Sequence, residues 1–287
     1  MSTNLSLSHR EQEPEKGVLY LVGTPIGNLS DISSRALNIL KNVFLILCED
    51  TRETRKILSR FKIQNELSSF NRHNSNSKMP KIIKYLKSGK SLALVSDAGM
   101  PLICDPGEDL VQNIKLHDLE IICIPGPCAA ITALAVSGLP CSKFVFEGFL
   151  PRKKIEREKN LLEISKNEKT TIIYESPRRL KQLLFELKEY CGGSREIAVS
   201  RELTKKFEQH IGNNIDNVIK FFEDNQVIGE FTLVIKGIER NQNFEIDKNA
   251  IRRELRELVE AGLSLSSASK YLAKKKNITK KIIYNLY

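Results

Sequence analysis

The chain of 287 residues contains no tryptophan, only three methionines and four histidines. It also lacks an apolar run of the roughly 18 residues or more that a membrane-spanning helix needs. Residues 1–16 have neither the apolar core nor the strongly basic start of a secretory signal. We therefore expect a cytoplasmic protein with no membrane partner, and we predict that residues 1–16 form a polar, disordered tail.

The cysteine pattern lacks a C-x-x-C pair and a His–Cys cluster with metal-ligand spacing. Most of the cysteines lie in or beside apolar stretches, such as Ile46–Cys48 and Ile122–Ile124. The sequence therefore predicts free, buried thiols in a reducing compartment and no metal site. The six cysteines are Cys48, Cys104, Cys123, Cys128, Cys141 and Cys191.

Positive charge is in excess and is concentrated at the C-terminus. The chain has 45 Lys and Arg against 35 Asp and Glu, a net charge of +10. Residues 248–287 hold ten Lys and Arg and three Glu, so this segment alone carries 10 − 3 = +7. Such a segment favours a polyanionic partner, RNA or DNA rather than a membrane, because no amphipathic apolar face accompanies it. A solvated basic surface without a partner is the alternative.

The first half of the chain alternates short apolar runs with helical patterns. This alternation is typical of an α/β domain with a parallel sheet covered on both faces, here residues 17–141. We expect a helix over Ile32–Leu40, capped by Ser30 or Asp31, and a polar, mobile loop over residues 71–80. The predicted strands of this domain are Gly17–Val22, Val43–Cys48, Leu67–Phe70, Ser91–Ser96 and Glu120–Ile124.

The pattern changes after Pro140. Further β runs with helices between them predict a second α/β domain over residues 142–240. Residues 241–287 are expected to form a small basic module that is entirely helical. The β runs of the second domain are Lys143–Glu147, Thr170–Tyr174, Glu196–Ser200, Phe207–Ile211 and Glu230–Lys236.

Three loops follow predicted strands of the first domain, where parallel sheets bind their ligands. Gly23–Leu29 is neither a dinucleotide fingerprint nor a P-loop, and its glycines permit close approach to a ligand. Ser96–Gly107 contains two Gly/Pro turns, with a carboxylate at the strand end. Pro125–Ala133 opens a helix whose small residues leave its N-terminal N–H groups accessible. Tight turns, an N-capping Asp and close helix–sheet packing are the structural alternatives.

Seven motifs follow one another along the chain: GTPIGNL, SDAGMPLICDPG, PGPCAA, EGFLPRK, YESPRR, RELTKKFE and GEFTLV. In this order they resemble the motifs of the 16S rRNA (cytidine-2′-O-)-methyltransferases of the tetrapyrrole-methylase-like superfamily. The resemblance extends from about Gly17 to Gly237 and continues into the basic helices. One departure is Arg178–Arg179, where the family often has His-Arg, and we expect this change to affect RNA contact.

The resemblance implies two α/β domains with a cofactor cleft between them and a homodimer. It also implies that S-adenosyl-L-methionine binds in this cleft and that 16S rRNA or the small ribosomal subunit is the substrate. The residues that would contact the cofactor, transferred motif by motif, are Pro25, Ile26, Asp97, Gly99, Met100, Cys128, Ala129, Tyr174, Glu175, Leu203 and Thr232.

Transfer of a methyl group to a ribose hydroxyl requires removal of the hydroxyl proton. The candidate proton acceptors are Asp105, Glu175 and Glu202, with a turn cap, a strand-end hydrogen bond and an ion pair to Arg201 as their respective structural alternatives. RNA is expected to be held mainly through its phosphates. The predicted phosphate contacts form three clusters: Lys153, Lys154 and Arg157; Arg178 and Arg179; Arg201, Lys205 and Lys206.

Two other functions are compatible with parts of this pattern. A tetrapyrrole methylase would share the fold and cofactor but would act on a small acidic macrocycle, for which the basic C-terminal helices have no use. An RNA-binding assembly factor would need no cofactor, yet the three cleft loops retain all of their motif residues.

Overall fold

The structure is a computed structural model that describes residues 13–239, 248–276 and 280–287. Contacts within the chain define two compact units, of which the first ends at Ile238 and the second begins at Glu239. Residues 1–12 of the predicted tail lie outside the described residues. Glu13, in contrast, forms an ion pair with Arg35 and accepts a hydrogen bond from the Asn38 side chain at 3.1 Å. The tail prediction is therefore wrong for the part that is described.

The first sheet contains five parallel strands in the order β3-β2-β4-β1-β5. Its strands are β1 (Leu19–Val22), β2 (Leu45–Cys48), β3 (Leu67–Ser69), β4 (Leu92–Val95) and β5 (Ile121–Ile124). The helices that follow these strands are α1 (Ser34–Asn42), α2 (Thr51–Arg60), α3 (Ser75–Lys87), α4 (Glu108–Leu116) and α5 (Ala129–Val136).

Helices cover both faces of this sheet. Successive strand residues point to opposite faces, and apolar side chains on each face pack against helices. Tyr20 and Ile46 belong to one buried cluster, together with residues of α1 and α2. Leu19 and Leu47 belong to another, together with residues of α3 and α4. The predicted parallel sheet with two covered faces is confirmed.

The second sheet is mixed, in the order β6-β7-β10-β8-β9, with only the β6–β7 pair parallel. Its strands are β6 (Phe144–Phe149), β7 (Thr170–Glu175), β8 (Glu196–Arg201), β9 (Gln209–Asn214) and β10 (Phe231–Ile235). Three helices, α6 (Lys154–Lys166), α7 (Pro177–Cys191) and α8 (Ile215–Asp224), pack on one face. The α/β fold class predicted from the sequence is confirmed.

Helix α5 connects the two sheets. It follows β5 of the first sheet, and its residues Ala130, Ala133 and Leu134 pack against Ile172 of β7 and Val234 of β10. This packing brings the carboxyl edge of the first sheet next to the second sheet. The boundary between two domains at residues 141 and 142 stays a prediction, since both sheets lie in one compact unit.

The C-terminal unit has helices α9 (Lys248–Glu260), α10 (Leu265–Lys276) and α11 (Lys280–Tyr284). It has a small core of its own, and its lysines Lys270, Lys274 and Lys280 are exposed. No helix among the described residues is long and apolar enough to cross a membrane. The six core side chains are Ile251, Leu255, Ala268, Leu272, Ile283 and Leu286.

Three local predictions are wrong. The segment predicted as a mobile loop over residues 71–80 is helical from Ser75, where α3 begins. Helix α1 is capped by Ser33, whose hydroxyl accepts a hydrogen bond from the Ala36 N–H, and not by Ser30 or Asp31. The cysteines are free, but only Cys48 is buried, and Cys123 is exposed on edge strand β5.

The loops after β1 and β5 approach each other so closely that neither accommodates a side chain at the contact. A Cβ atom on Gly126 would lie 2.8 Å from the Cα of Gly23, and one on Gly23 would lie 2.7 Å from the Cα of Gly126. Both obstacles are backbone atoms, which cannot rotate away. The two glycines therefore set the spacing of the two loops.

We predict that Gly126→Ala destabilises the protein by about 1–3 kcal/mol, because the added methyl group forces the two backbones apart. Urea denaturation measures the change in the free energy of unfolding. Gly212→Ala is a matched control, since its nearest neighbour would lie at 3.4 Å. Equal stability of the two variants would contradict the steric explanation.

Candidate active site

Strands β4, β1 and β5 are neighbours in the first sheet, so the three loops that follow them meet at its carboxyl edge. The loops after β1 and β4 are joined by two reciprocal backbone hydrogen bonds. The Thr24 N–H donates to the Gly99 carbonyl at 2.9 Å, and the Gly99 N–H donates to the Thr24 carbonyl at 3.1 Å. The Ser96 hydroxyl donates to the same Gly99 carbonyl at 3.2 Å. These bonds hold the loops rigidly at the edge of the sheet.

The second sheet closes the site from the opposite side. The Tyr174 hydroxyl accepts a hydrogen bond from the Ala130 N–H at 2.9 Å, at the N-terminus of α5. The loop after β8 lies against the first loop, where the Lys205 side chain occupies the space that a Gly27 side chain would fill. Glu202 and Thr204 in this loop have φ angles of +54° and +66°, a conformation that costs L residues energy. Strain of this kind is common at ligand sites.

These elements enclose a cavity of about 480 Å³. All the residues predicted to contact the cofactor line it except Pro25, and two of the three candidate proton acceptors, Asp105 and Glu175, line it as well. The cofactor contacts themselves stay predictions. The cavity-lining residues are Ile26, Glu49, Asp97, Ala98, Gly99, Met100, Ile103, Cys104, Asp105, Cys128, Ala129, Phe149, Tyr174, Glu175, Ser176, Pro177, Leu203, Glu230, Phe231 and Thr232.

Three carboxylates, Glu49, Asp97 and Asp105, share one wall of the cavity. Partial burial and, after it, the nearby negative charge of Glu49 raise the pKa of Asp105 to about 6, although a hydrogen bond with the Ser96 side chain acts in the opposite direction. Burial also raises the pKa of Asp97 and of Glu49. Asp97 accepts a hydrogen bond from the Asp50 N–H at 3.0 Å. The wall therefore attracts cations and repels anions.

Glu175 differs from these three because it is almost fully buried, at 2% exposure. Its carboxylate lies 3.2 Å from the Arg179 guanidinium and 3.9 Å from that of Arg157, and it accepts a hydrogen bond from the Ser176 N–H at 2.8 Å. Burying a carboxylate is costly unless it is paired in this way. Glu175 therefore fixes the end of β7 to the start of α7: its Oε1 accepts the Ser176 N–H, whereas its Oε2 has the two ion pairs but no hydrogen bond.

Glu202 does not line the cavity. It forms an ion pair with Lys205 at 3.0 Å and accepts a hydrogen bond from the Glu230 N–H at 3.0 Å. Burial alone would raise the pKa of Glu202, but the bonds from Lys205 and Glu230 outweigh it and hold the pKa below the ordinary value. The predicted ion pair with Arg201 is replaced by one with Lys205. Of the three candidate acceptors, Asp105 is the one both accessible and unpaired with a cation.

The structure argues against a phosphate contact for Arg157. This side chain is 5% exposed, and its guanidinium lies 2.6 Å from the Glu186 carboxylate. Lys153 and Lys154 are exposed, each in an ion pair with a glutamate of α6. Arg178 and Lys206 are exposed, which is what a phosphate contact requires. The remaining predicted contacts are half-buried: Arg179, Arg201 and Lys205.

Sequence reasoning missed several residues of the site. Glu49 lines the cavity, and exposed Arg72 is close enough to act on the pKa values of Glu49 and Asp105. Neither belongs to a motif, so no sequence signal marked them. Phe149 and Ser176 also line the cavity and do lie in motifs, EGFLPRK and YESPRR, which could have identified them. Within the described ranges, no group of three or more His, Cys, Asp and Glu side chains is arranged to hold a metal ion.

Residues 18–219 match the family model described as tetrapyrrole (corrin/porphyrin) methylases. The chain is 41% identical over 280 residues to ribosomal RNA small subunit methyltransferase I from Bacillus subtilis (strain 168), which covers 95% of this chain and 94% of the relative. The protein of the same name from Escherichia coli O157:H7 is 38% identical over 278 residues, 96% of each chain. That from Thermotoga maritima is 45% identical over 223 residues, 78% of this chain and 100% of the relative.

Solved structures agree with this classification at the level of the fold. Cobalt precorrin-4 methyltransferase superimposes with a TM-score of 0.58 at 15% identity, over 77% of this chain and 95% of that one. Uroporphyrin-III-C-methyltransferase from Thermus thermophilus gives 0.53 at 18% identity, over 77% and 94%. The chain therefore belongs to the tetrapyrrole (corrin/porphyrin) methylase family. Within this family, the curated relatives named above are ribosomal RNA small subunit methyltransferases I, which confirms the resemblance of the motifs.

We predict that Asp105→Asn stabilises the protein at neutral pH. A pKa near 6 in the folded state, above the ordinary value near 4, means that the folded state binds the proton more tightly than the unfolded chain. The contribution of protonated Asp105 to the free energy of unfolding is therefore fully present below about pH 4, and it is lost as the pH rises through 6. The always neutral Asn should be more stable than Asp105 by on the order of 1 kcal/mol at pH 7.5.

Thermal unfolding between pH 4 and pH 8 measures this difference, which should disappear at the acidic end. Asp118→Asn is the control, because Asp118 is exposed and lies outside the cavity. A gain in stability that does not change with pH would show that Asp105 titrates normally.

Proposed function

We propose that this protein transfers a methyl group from S-adenosyl-L-methionine to the 2′-hydroxyl of a cytidine in 16S ribosomal RNA. The observation that carries the proposal is the cavity, in which the three loops of the first sheet meet the motif residues of β7 and β10. The printed name of the relatives, ribosomal RNA small subunit methyltransferase I, supports RNA as the substrate class.

The cavity suits S-adenosyl-L-methionine in size and charge. Small-molecule sites usually enclose about 300–1,000 Å³, and 480 Å³ lies within this range. Gly99 and Ala129 leave room for a flat ring close to the backbone, and the wall of Glu49, Asp97 and Asp105 attracts a cationic ligand. When bound, this cofactor supplies a methyl group activated by a positively charged sulfur.

The residues of this chain position the reactants and accept the proton. Asp97 lies at the end of β4, with one carboxylate oxygen held by the Asp50 N–H, and its remaining acceptor capacity is available to a ligand. Asp105 is the proton acceptor, because it lines the cavity and its pKa of about 6 leaves it ionised at neutral pH while still basic. Glu175 acts as a positioning residue that holds the end of β7.

Binding of RNA is assigned to cations outside the cavity. Arg72, Lys153, Lys154 and Arg178 are exposed on the first unit, and the C-terminal unit adds the basic segment 248–287. Phosphate contacts hold a strand without reading its sequence. A homodimer, a cytoplasmic location and the choice between free 16S rRNA and the assembled subunit stay predictions.

A small acidic macrocycle, the substrate class suggested by the names of the structural neighbours, suits this cavity less well. The negative charges of Glu49, Asp97 and Asp105 repel a ligand whose own carboxylates are brought close to the cavity. RNA can keep its phosphates outside such a cavity while a single nucleoside approaches its mouth.

The function is tested by incubating the purified protein with small subunits from cells that lack the gene, using radiolabelled cofactor and mass mapping of 2′-O-methyl groups. We expect one labelled cytidine, and we expect Asp105→Asn to bind the cofactor but to transfer methyl groups at less than a hundredth of the normal rate. Methylation of a corrin or porphyrin precursor, with none of RNA, would overturn the proposal.

We predict that removal of Glu239–Tyr287 leaves cofactor affinity nearly unchanged and weakens RNA binding. The C-terminal unit has its own core and holds none of the cavity-lining residues. Because phosphate contacts release counterions, the truncated protein should also show a shallower dependence of RNA affinity on salt.

Calorimetry with the cofactor and filter binding with RNA at several salt concentrations measure the two effects. Equal RNA affinity and an equal salt slope would make the C-terminal unit a solvated appendage. Loss of cofactor binding as well would make it part of the catalytic fold or of a dimer interface.

A further inference from the structure

One aromatic side chain at the mouth of the cavity has no role in the scheme above. Phe149, at the end of β6, lines the cavity and is nevertheless 56% exposed. The other lining aromatics differ, since Phe231 is buried and the Tyr174 hydroxyl is used by the Ala130 N–H. Among the described lining residues, Phe149 is thus the aromatic ring that is open to solvent.

The ring of Phe149 is held in place by its neighbours. Its centroid lies 5.7 Å from that of Tyr174 in an edge-to-face arrangement, and Tyr174 makes a similar contact with Phe146 at 5.0 Å. Gly148, the preceding residue, lies against Cys104, because a Cβ there would approach the Cys104 Sγ to 2.8 Å. Gly148 therefore lies directly against the loop that carries Asp105.

A second apolar side chain lies on the same loop. Ile103 also lines the cavity and is 42% exposed. Because both side chains line the cavity and are exposed, they can contact a partly apolar ligand at its opening. Phe149 and Ile103 form an apolar surface next to Asp105, the proposed proton acceptor.

The size of the cavity limits what lies inside it. A volume of about 480 Å³ lies in the range of sites that hold one small molecule. With the proposed cofactor inside the cavity, the nucleobase attached to the reacting ribose is placed at the mouth. A ribose within folded RNA becomes accessible when its base is unstacked, and an unstacked base binds proteins by stacking on aromatic rings.

We infer that the cytosine base of the target nucleotide stacks on Phe149, which makes Phe149 a substrate-binding residue that positions the ribose beside Asp105. The inference rests on the proposed function and adds the surface that receives the base. Stacking requires an aromatic ring and not only an apolar side chain, so Leu at this position should not replace Phe in binding the base.

The test compares methyl transfer to RNA by the full-length protein and three variants. Phe149→Ala should raise KM for RNA by about tenfold to a hundredfold, with unchanged affinity for S-adenosyl-L-methionine. Phe149→Tyr should restore a KM near that of the wild type, and Phe149→Leu should not. Phe144→Ala is the control on the same strand, since Phe144 is 40% exposed but does not line the cavity.

Three outcomes would overturn the inference while leaving the proposed function intact: an unchanged KM in Phe149→Ala, full restoration by Phe149→Leu, or a loss of cofactor affinity, which would assign Phe149 to the cofactor. Failure of the wild-type protein itself to methylate RNA would instead contradict the proposed function and the stacking with it. Thermal unfolding of each variant checks that a changed KM does not reflect a damaged fold.

Discussion

The close approach of Gly23 and Gly126 is the constraint on which the rest of the site depends. Each of the two glycines has its Cα atom where a side chain of the other would lie. The loops after β1 and β5 therefore contact each other through their backbones. The backbone bridge between Thr24 and Gly99 then adds the loop after β4. Helix α5 begins at Ala129, shortly after Gly126, and packs on the second sheet, so the same contact influences how the second sheet closes the cavity.

Charge is divided sharply between the inside and the outside of this site. The chain carries +10 overall, yet the cavity wall is acidic at Glu49, Asp97 and Asp105. A polyanion is attracted to the protein and repelled from the cavity, whereas a cationic cofactor is drawn inside. A nucleic-acid chain can be attracted by the surface without being repelled by the cavity only if its phosphates stay outside and one nucleoside lies at the mouth.

The sequence predicts much of this site because glycine and proline motifs depend on backbone geometry, which is local. The loops at 23–29, 96–107 and 125–133 are therefore found from the sequence and lie together in the structure. Burial of a charge is not local. Arg157 belongs to a basic run and is predicted from the sequence to contact phosphate, but tertiary packing places it between Glu175 and Glu186. The helical start at Ser75 was missed because tertiary contacts override the weak helix propensity of Asn and Ser.

In the proposed function, the two units of the chain have different tasks. The cavity and its loops lie in the first unit, and much of the excess positive charge lies in the C-terminal unit, whose described core is a cluster of six buried side chains. The relative from Thermotoga maritima is matched over its whole length by 78% of this chain, so about a fifth of this chain has no counterpart there. A basic unit that adds phosphate contacts changes RNA affinity without altering the cavity, since nonspecific electrostatic attraction needs no fixed geometry. The reaction chemistry is therefore constrained by the glycine contacts, whereas the electrostatic attraction for RNA is free to vary.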